Sequence, residues 1–493
     1  MIRNNQDISN RSFVFTFVFI VFLASVLRVY QLNSQMWLDE FSALASVRRS
    51  WIEIVTIWPG VSSHILFELL ANWSAILFGE STFSLRLPAA LFGILGVITL
   101  VKLGAQISTF KTGLFISALM AVSYNHIFYS QNIRGYTALI FFFLWTSYLF
   151  LSITDTKKME LKLGITYFLA TVLTCYSQPF GVFIPVSQSV IAVCLFIFDR
   201  RNNVQDRFPI KVFIGWMALA CGVTLLLYSP FYTGMMSHAQ ADTGIASGGG
   251  ASKFDFGLII EVLEGLAAAF HGYIGLLVVS LSGAIGMIIW ARKHLISLFV
   301  LVLPLVIQAI AFIVMGVGIH PRYFAIAIPI IFIAGGIALF YITGFILSKI
   351  VKNEVSRSFI QTVILCVIVI ISSYPLIRYY SIPKQDFQGA LKIVEELANE
   401  NDVKVGVQSV GTIMKDHFGA DFVRVDKYEQ FITLEKTGRP LWVITTLERI
   451  MELSDPDLMN HIRNNYKLFQ RLPGTVGDGS MQIYGPTNTI DNR

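Results

Sequence analysis

Long apolar runs set the first constraint on this chain. A helix needs about 20 mostly apolar residues to cross a bilayer. Such runs lie near residues 12–31, 86–104, 112–130, 136–153, 161–176, 179–198, 211–231, 273–291, 295–316, 323–347 and 358–377, which gives eleven expected spans. Backbone groups in hydrocarbon have no water to bond, so each run is expected to be helical. Of the 493 residues, 55% are hydrophobic and 14% charged, against about 25% charged in a soluble domain; mean hydropathy is +0.65. The net charge of +6 sits in short clusters between apolar runs, a topological pattern rather than a nucleic-acid surface. Cys175, Cys194, Cys221 and Cys366 all fall inside apolar runs, which leaves neither a disulfide framework nor a CxxC metal site. Phe13–Leu27 follows Arg3 and Arg11 as a signal sequence would. No small-residue cleavage site comes after it, so it reads as a retained first span.

The segment His64–Phe78 decides which side every later loop faces. It is too short to span, and His64, Glu68 and Asn72 form a polar stripe opposite Ile65, Leu69 and Ile76, as in a helix lying in the interface. With eleven spans and a cytoplasmic N-terminus, most lysines and arginines from Lys102 to Arg357 fall on inner loops, and a twelfth span would invert that bias. Arg48 and Arg49, on the outer side, run against the pattern.

Four segments then lie outside the membrane: 32–85, the turn at 124–136, 232–272, and the tail after about 380. Ser237–Ser252, with Gly248-Gly249-Gly250, reads as a linker or as a lid over a site. The tail, 381–493, changes character. Asp386–Asn399 has helical periodicity, and short apolar strands such as Val403–Val407 and Leu441–Thr445 alternate with helical stretches, which predicts a small α/β domain after a membrane domain of residues 1–380. No fixed-period repeat suggests a solenoid, and no segments broken at matching positions suggest an inverted-repeat transporter.

Two groups of residues can carry chemistry. Met36-Trp37-Leu38-Asp39-Glu40 places two acids beside a tryptophan just past the first span. The pair is either solvated loop or a general base held near headgroups, where burial raises a carboxyl toward a useful pKa. Arg86 in Leu85-Arg86-Leu87-Pro88, Arg134 in Tyr129-Ser130-Gln131-Asn132-Ile133-Arg134-Gly135-Tyr136 and Arg322 in His320-Pro321-Arg322-Tyr323 stand at outer span ends. Each either snorkels to headgroups or offers a guanidinium to a phosphate. His64, His126, His238, His271 and His320 map to the same side. Their spacing does not support a metal site, and solvated or hydrogen-bonded histidines fit better. Asn72-Trp73-Ser74 matches a glycosylation acceptor pattern only by chance.

In order and spacing, the acidic pair, the His-led interfacial helix ending in Leu77-Phe78-Gly79-Glu80-Ser81, the Arg-Leu-Pro entry and the Tyr-Ser-Gln-x-x-Arg-Gly-Tyr turn resemble the polyprenol-dependent glycosyltransferases of the GT-C fold. The branch is that of protein O-mannosyltransferases and aminoarabinose transferases. Lys384-Gln385-Asp386-Phe387-Gln388-Gly389-Ala390 resembles the junction into the external domain of its bacterial members. The resemblance implies a multi-pass plasma-membrane enzyme with its N-terminus cytoplasmic and its C-terminal domain extracytoplasmic. It also implies inverting transfer of a sugar from a polyprenyl phosphate to a lipid, polysaccharide or protein hydroxyl, without nucleic acid. Asp39 matches the catalytic acid, with Glu40 sharing that role or positioning the acceptor. His64, Arg86, Tyr129, Gln131, Arg134, Tyr136, Arg322 and Tyr323 stand as substrate-binding candidates; no cofactor is implied with confidence. Two departures stand out: His64 is followed by Ile65 and Leu66 rather than two prolines, and Tyr176-Ser177-Gln178 replaces a Tyr-Thr-His. A flippase of lipid-linked sugars and an inactive scaffold are the competing readings; a carrier places ionisable groups mid-span, whereas here they gather at span ends.

Overall fold

The computed structural model describes residues 2–58, 60, 63–237, 263–267, 269–315, 321–476 and 479–486, with side chains from residue 13 onward. The Gly/Ser-rich stretch 238–252, His238 and His320 lie outside the described residues. The chain divides into two compact units: Met1–Leu32 with Ser46–Pro375, and Asn33–Ala45 with Leu376–Arg493. A linear cut near residue 380 misses that Asn33–Ala45 groups with the tail.

The first unit is helical. Its helices are α1 Ile2–Val29, the end of α2 (Leu38–Val47), α3 Trp51–Thr56, α4 Ile65–Phe78, α5 Thr82–Ile107, α6 Phe110–Ala121, α7 Tyr124–Ser130, α8 Tyr136–Thr156, α9 Leu161–Ser177, α10 Phe183–Arg201, α11 Ile210–Tyr228, α12 Gly272–Lys293, α13 Leu295–Met315, α14 Ala327–Ile350 and α15 Glu354–Ser372. Among the described residues, 8 helices are long and apolar enough to cross a membrane; Phe13–Val29, Phe110–Ala121 and Leu161–Ser177 are shorter apolar helices. The run expected to be one span over 112–130 is broken. Ser123 caps α7 by accepting from the His126 N–H, which satisfies a helix start where a continuous helix was expected.

The α4 helix turns its polar stripe inward. His64 and Glu68 are buried, and Asn72 donates to the Val47 and Arg49 carbonyls at 2.9 and 3.0 Å. Ile76, Leu77 and Phe78 are exposed. This suits an interfacial helix whose apolar tip meets lipid and whose polar side meets protein. Gly79 ends it at φ +81, a left-handed backbone that a side chain strains. Pro88, inside α5, has no N–H to give the Ser84 carbonyl four residues back, and Ser74 Oγ donates to that carbonyl at 2.7 Å instead. The proline of Arg-Leu-Pro thus frees the Ser84 carbonyl, the acceptor that ties α4 to α5. Arg48, which ran against the charge pattern, forms an ion pair with Glu80 at 2.6 Å. Further down α5, a Cβ on Gly104 would lie 2.7 Å from Gly113 Cα, so α5 and α6 meet backbone to backbone, the small-residue packing that apolar surroundings favour.

The second unit holds a five-stranded sheet in the order β2-β1-β3-β5-β4. The strands are β1 Val403–Val407, β2 Val423–Val425, β3 Leu441–Thr445, β4 Lys467–Leu472 and β5 Met481–Gly485. Strands β2, β1 and β3 run parallel, whereas β5 is antiparallel to β3 and β4. The expected strands β1 and β3 are the central, nearly fully buried ones, as their unbroken apolar runs require.

Candidate functional site

Candidate residues form two groups, one in each compact unit. In the helical unit, His64 sits at the N-cap of α4, 1% exposed. Its ring lies 4.7 Å edge-on from Tyr136, and Tyr136 lies 4.7 Å from Tyr129. Gly135 makes this possible: a Cβ there would come within 2.9 Å of Phe67 Cβ and 3.1 Å of His64 Nδ1. The backbone of Ser177, at the end of α9, is the hydrogen-bonding neighbour of the His64 ring. Burial first, then the Arg134 and Arg322 charges, hold His64 well below its usual pKa against a backbone hydrogen bond with Ser177 that raises it, so it is a neutral imidazole. One turn on, buried Glu68 accepts from the His64 N–H at 3.4 Å. Burial raises its pKa, and that N–H and the Arg134 and Arg49 charges oppose the rise. His64, Glu68, Arg134 and Arg322 are therefore electrostatic neighbours.

The Arg322 turn is held from below. Gln308 Nε2, from α13, donates to the Tyr323 carbonyl at 2.9 Å, and the Tyr323 ring packs against Phe180 at 5.0 Å. Phe180 belongs to the short turn that follows Gln178. Gln178, 1% exposed at the end of α9, has no partner for its amide oxygen or nitrogen. Buried amides are almost always satisfied. The unsatisfied Gln178 amide can take a sugar hydroxyl, and the Arg134 and Arg322 guanidiniums near His64 can take a phosphate.

Two further candidates bond to backbone carbonyls at and just beyond the end of α1. Arg86 is fully buried and donates from Nη1 to the Leu32 carbonyl at 3.0 Å. Gln131 Nε2 donates to the Arg28 and Tyr30 carbonyls at 3.1 and 2.7 Å and so caps the end of α1. Arg28, which the sequence reading passed over, is fully buried and donates to His126. A charge closing an apolar run was the available signal for it.

In the second unit, the acidic pair opens α2 and differs in burial. Asp39 is partly exposed, whereas Glu40 is fully buried. Glu40 Oε2 accepts from the Trp37 N–H at 3.3 Å and lies 3.8 Å from Lys384 Nζ. Leu38 and Phe41 pack against the core of the sheet domain. Among the described residues no group of three or more His, Cys, Asp or Glu is placed to hold a metal ion.

This is the architecture of a polytopic membrane protein of the GT-C fold carrying a small α/β domain. Solved structures of that fold match it over nearly its whole length. ArnT from Cupriavidus metallidurans in the apo state is 14% identical, with a TM-score of 0.52, covering 97% of this chain and 98% of that one. The same protein bound to undecaprenyl phosphate matches with a TM-score of 0.50 at 14% identity, covering 96% and 98%. The archaeal oligosaccharyltransferase AglB from Archaeoglobus fulgidus, in complex with an inhibitory peptide and a dolichol-phosphate, is 12% identical with a TM-score of 0.56, covering 94% of this chain and 73% of that one. No family model and no curated protein matches the sequence.

Proposed function

We propose that this chain is a membrane glycosyltransferase that moves a sugar from a polyprenyl-phosphate donor to an acceptor hydroxyl. The observation that carries the reading is the fold, shared end to end with ArnT, a protein solved with undecaprenyl phosphate bound. The cluster of His64, Arg134 and Arg322 supports it, because it offers what such a donor needs: cationic groups for a phosphate beside neutral hydrogen-bonding groups for a sugar.

In this reading Asp39 takes the proton of the acceptor hydroxyl, and the freed oxygen attacks the anomeric carbon from the face opposite the phosphate. The carbon–oxygen bond to the phosphate breaks, its electron pair leaves with the polyprenyl phosphate, and configuration inverts. A phosphate monoester has a second pKa near about 6, so it leaves without being protonated. Arg134 and Arg322 stabilise its growing charge, and Asp39 is the only acid the step requires. The reading places the enzyme in the plasma membrane with this chemistry on the external face; protein, lipid and polysaccharide acceptors are all compatible with it.

The test is transfer by the purified protein from a panel of undecaprenyl- and dolichyl-phosphate sugars, wild type against Asp39→Asn. Loss of about 100-fold or more in the variant is expected of a general base. Transfer at the wild-type rate would overturn the assignment, and donor translocation without bond formation would favour a carrier.

A further inference from the structure

The most unexpected grouping is that of Asn33–Ala45 with the C-terminal unit. It rests on named contacts along the whole segment. Gln35 Nε2 donates to Asp386 Oδ1 at 2.8 Å, and Gln35 Oε1 accepts from the Gln388 N–H at 3.3 Å. The Leu38 N–H, at the first turn of α2, donates to Gln385 Oε1 at 2.8 Å. Gln385, itself fully buried, is fixed from behind by its own donation to Thr446 Oγ1 at 3.0 Å. Lys384 Nζ faces the buried Glu40 carboxylate. The Phe41 ring packs edge-on against Phe387, His417 and Phe418 at 5.5, 4.6 and 6.2 Å.

These contacts bracket Asp39 on both sides while leaving it partly exposed. Four successive residues, Lys384 to Phe387, meet Glu40, Leu38, Gln35 and Phe41 in turn. A segment made only to connect a membrane helix to a domain needs no such register. Both partners are also chemically demanding. A buried carboxylate without its cation is strongly unfavourable, and a backbone N–H at a helix start needs an acceptor.

We propose that the C-terminal domain is a positioning element of the active site: Lys384, Gln385 and Asp386 hold the turn that carries Asp39, and Glu40 is the anchor of that turn rather than a second base. The inference rests on the assignment of Asp39 as general base. An orienting contact of this kind acts on the rate of the chemical step more than on the affinity for either substrate.

The experiment uses the full chain and compares Lys384→Met, Lys384→Arg, Gln385→Ala, Asp39→Asn and the double variant Glu40→Gln/Lys384→Met. Two readouts are taken: steady-state transfer, with kcat and KM separated, and amide hydrogen exchange over Asn33–Ala45. Lys384→Met and Gln385→Ala are expected to lower kcat by up to about 100-fold, the cost of a small misplacement of a reacting group, with KM little changed and exchange over Asn33–Ala45 accelerated. Lys384→Arg is expected to restore both readouts. The double variant is expected to recover part of the loss, because it removes the stranded charge along with its partner. A fall in KM-controlled affinity with kcat intact, or wild-type kcat in both Lys384→Met and Gln385→Ala while Asp39→Asn is inactive, overturns the positioning role alone. An active Asp39→Asn overturns the base assignment, and the positioning role with it.

Discussion

Arg28 Nη2 donates to His126 Nδ1 at 2.6 Å, and both side chains are fully buried. The other guanidinium arm donates to the Ala24 and Ala121 carbonyls at 3.0 and 3.1 Å. One cation thus fastens the end of α1 to the break between α6 and α7. Since His126 accepts at Nδ1, its proton sits on Nε2, and burial together with the Arg28 charge keeps the ring neutral.

Arg28→Met should therefore cost about 3 kcal/mol of stability, since it removes buried donors from three carbonyls and an imidazole nitrogen. Thermal unfolding in detergent measures it. His126→Asn, which keeps a side-chain acceptor in reach, should cost less. Equal losses in the two variants would show that volume, not the hydrogen bond, matters at this position.

The two buried histidines fix a pH dependence. His64 and His126 are both held below their usual pKa of 6.5. The unfolded chain binds protons there that the folded chain refuses, so their contribution is present above pH 6.5 and is lost as pH falls below it. Each contributes a slope of up to about 1.4 kcal/mol per pH unit. Glu68, raised from 4.5 by burial, works in the opposite sense: it contributes at low pH, and that contribution is lost as pH rises through its folded pKa. Unfolding midpoints should fall between pH 7 and 5, His64→Gln should flatten the fall, and Glu68→Gln should steepen it.

Gly135 gives a steric test of the same region. A Cβ at this position meets Phe67 and His64 closer than side chains pack. Gly135→Ala should cost about 1–3 kcal/mol, as over-packed sites do. It should also lower transfer, because Phe67 and the His64 ring are the groups that must give way; unchanged activity would separate this contact from the reaction.

The apolar runs made the helices legible because the bilayer demands about 20 apolar residues whatever the fold. Strands β1 and β3 were legible as short buried runs flanked by turns. What the runs concealed was local. The break at Val122–Ser123 lies inside an apolar stretch and is decided by one serine cap. The inward turn of the α4 stripe depends on its neighbours, not on periodicity, which locates a polar face without saying what it meets. The candidate residues were legible as residue types at span ends, whereas the contacts each of them makes were not. Arg86 and Gln131, read as substrate-binding candidates, also donate to backbone carbonyls at and just beyond the end of α1, contacts more than 50 residues distant in sequence. Lys384 and Gln385 read as a junction and hold a segment near the other end of the chain.

Gln178 offers the sharpest separation of stability from function. Its amide is buried with neither end bonded, an arrangement that costs about 1–3 kcal/mol relative to an apolar side chain of similar size. If the amide serves only structure, Gln178→Leu should stabilise the protein and leave transfer alone. If it meets the donor's sugar, the same substitution should stabilise the protein and slow transfer by at least about tenfold, the value of one lost hydrogen bond of roughly 1.4 kcal/mol. We expect the second outcome, with the loss falling on kcat/KM for the donor and not for the acceptor. The opposed signs are the signature of a group kept for binding at the expense of stability. A destabilised Gln178→Leu would instead show that the amide has a partner in the folded protein, and would remove it from the site.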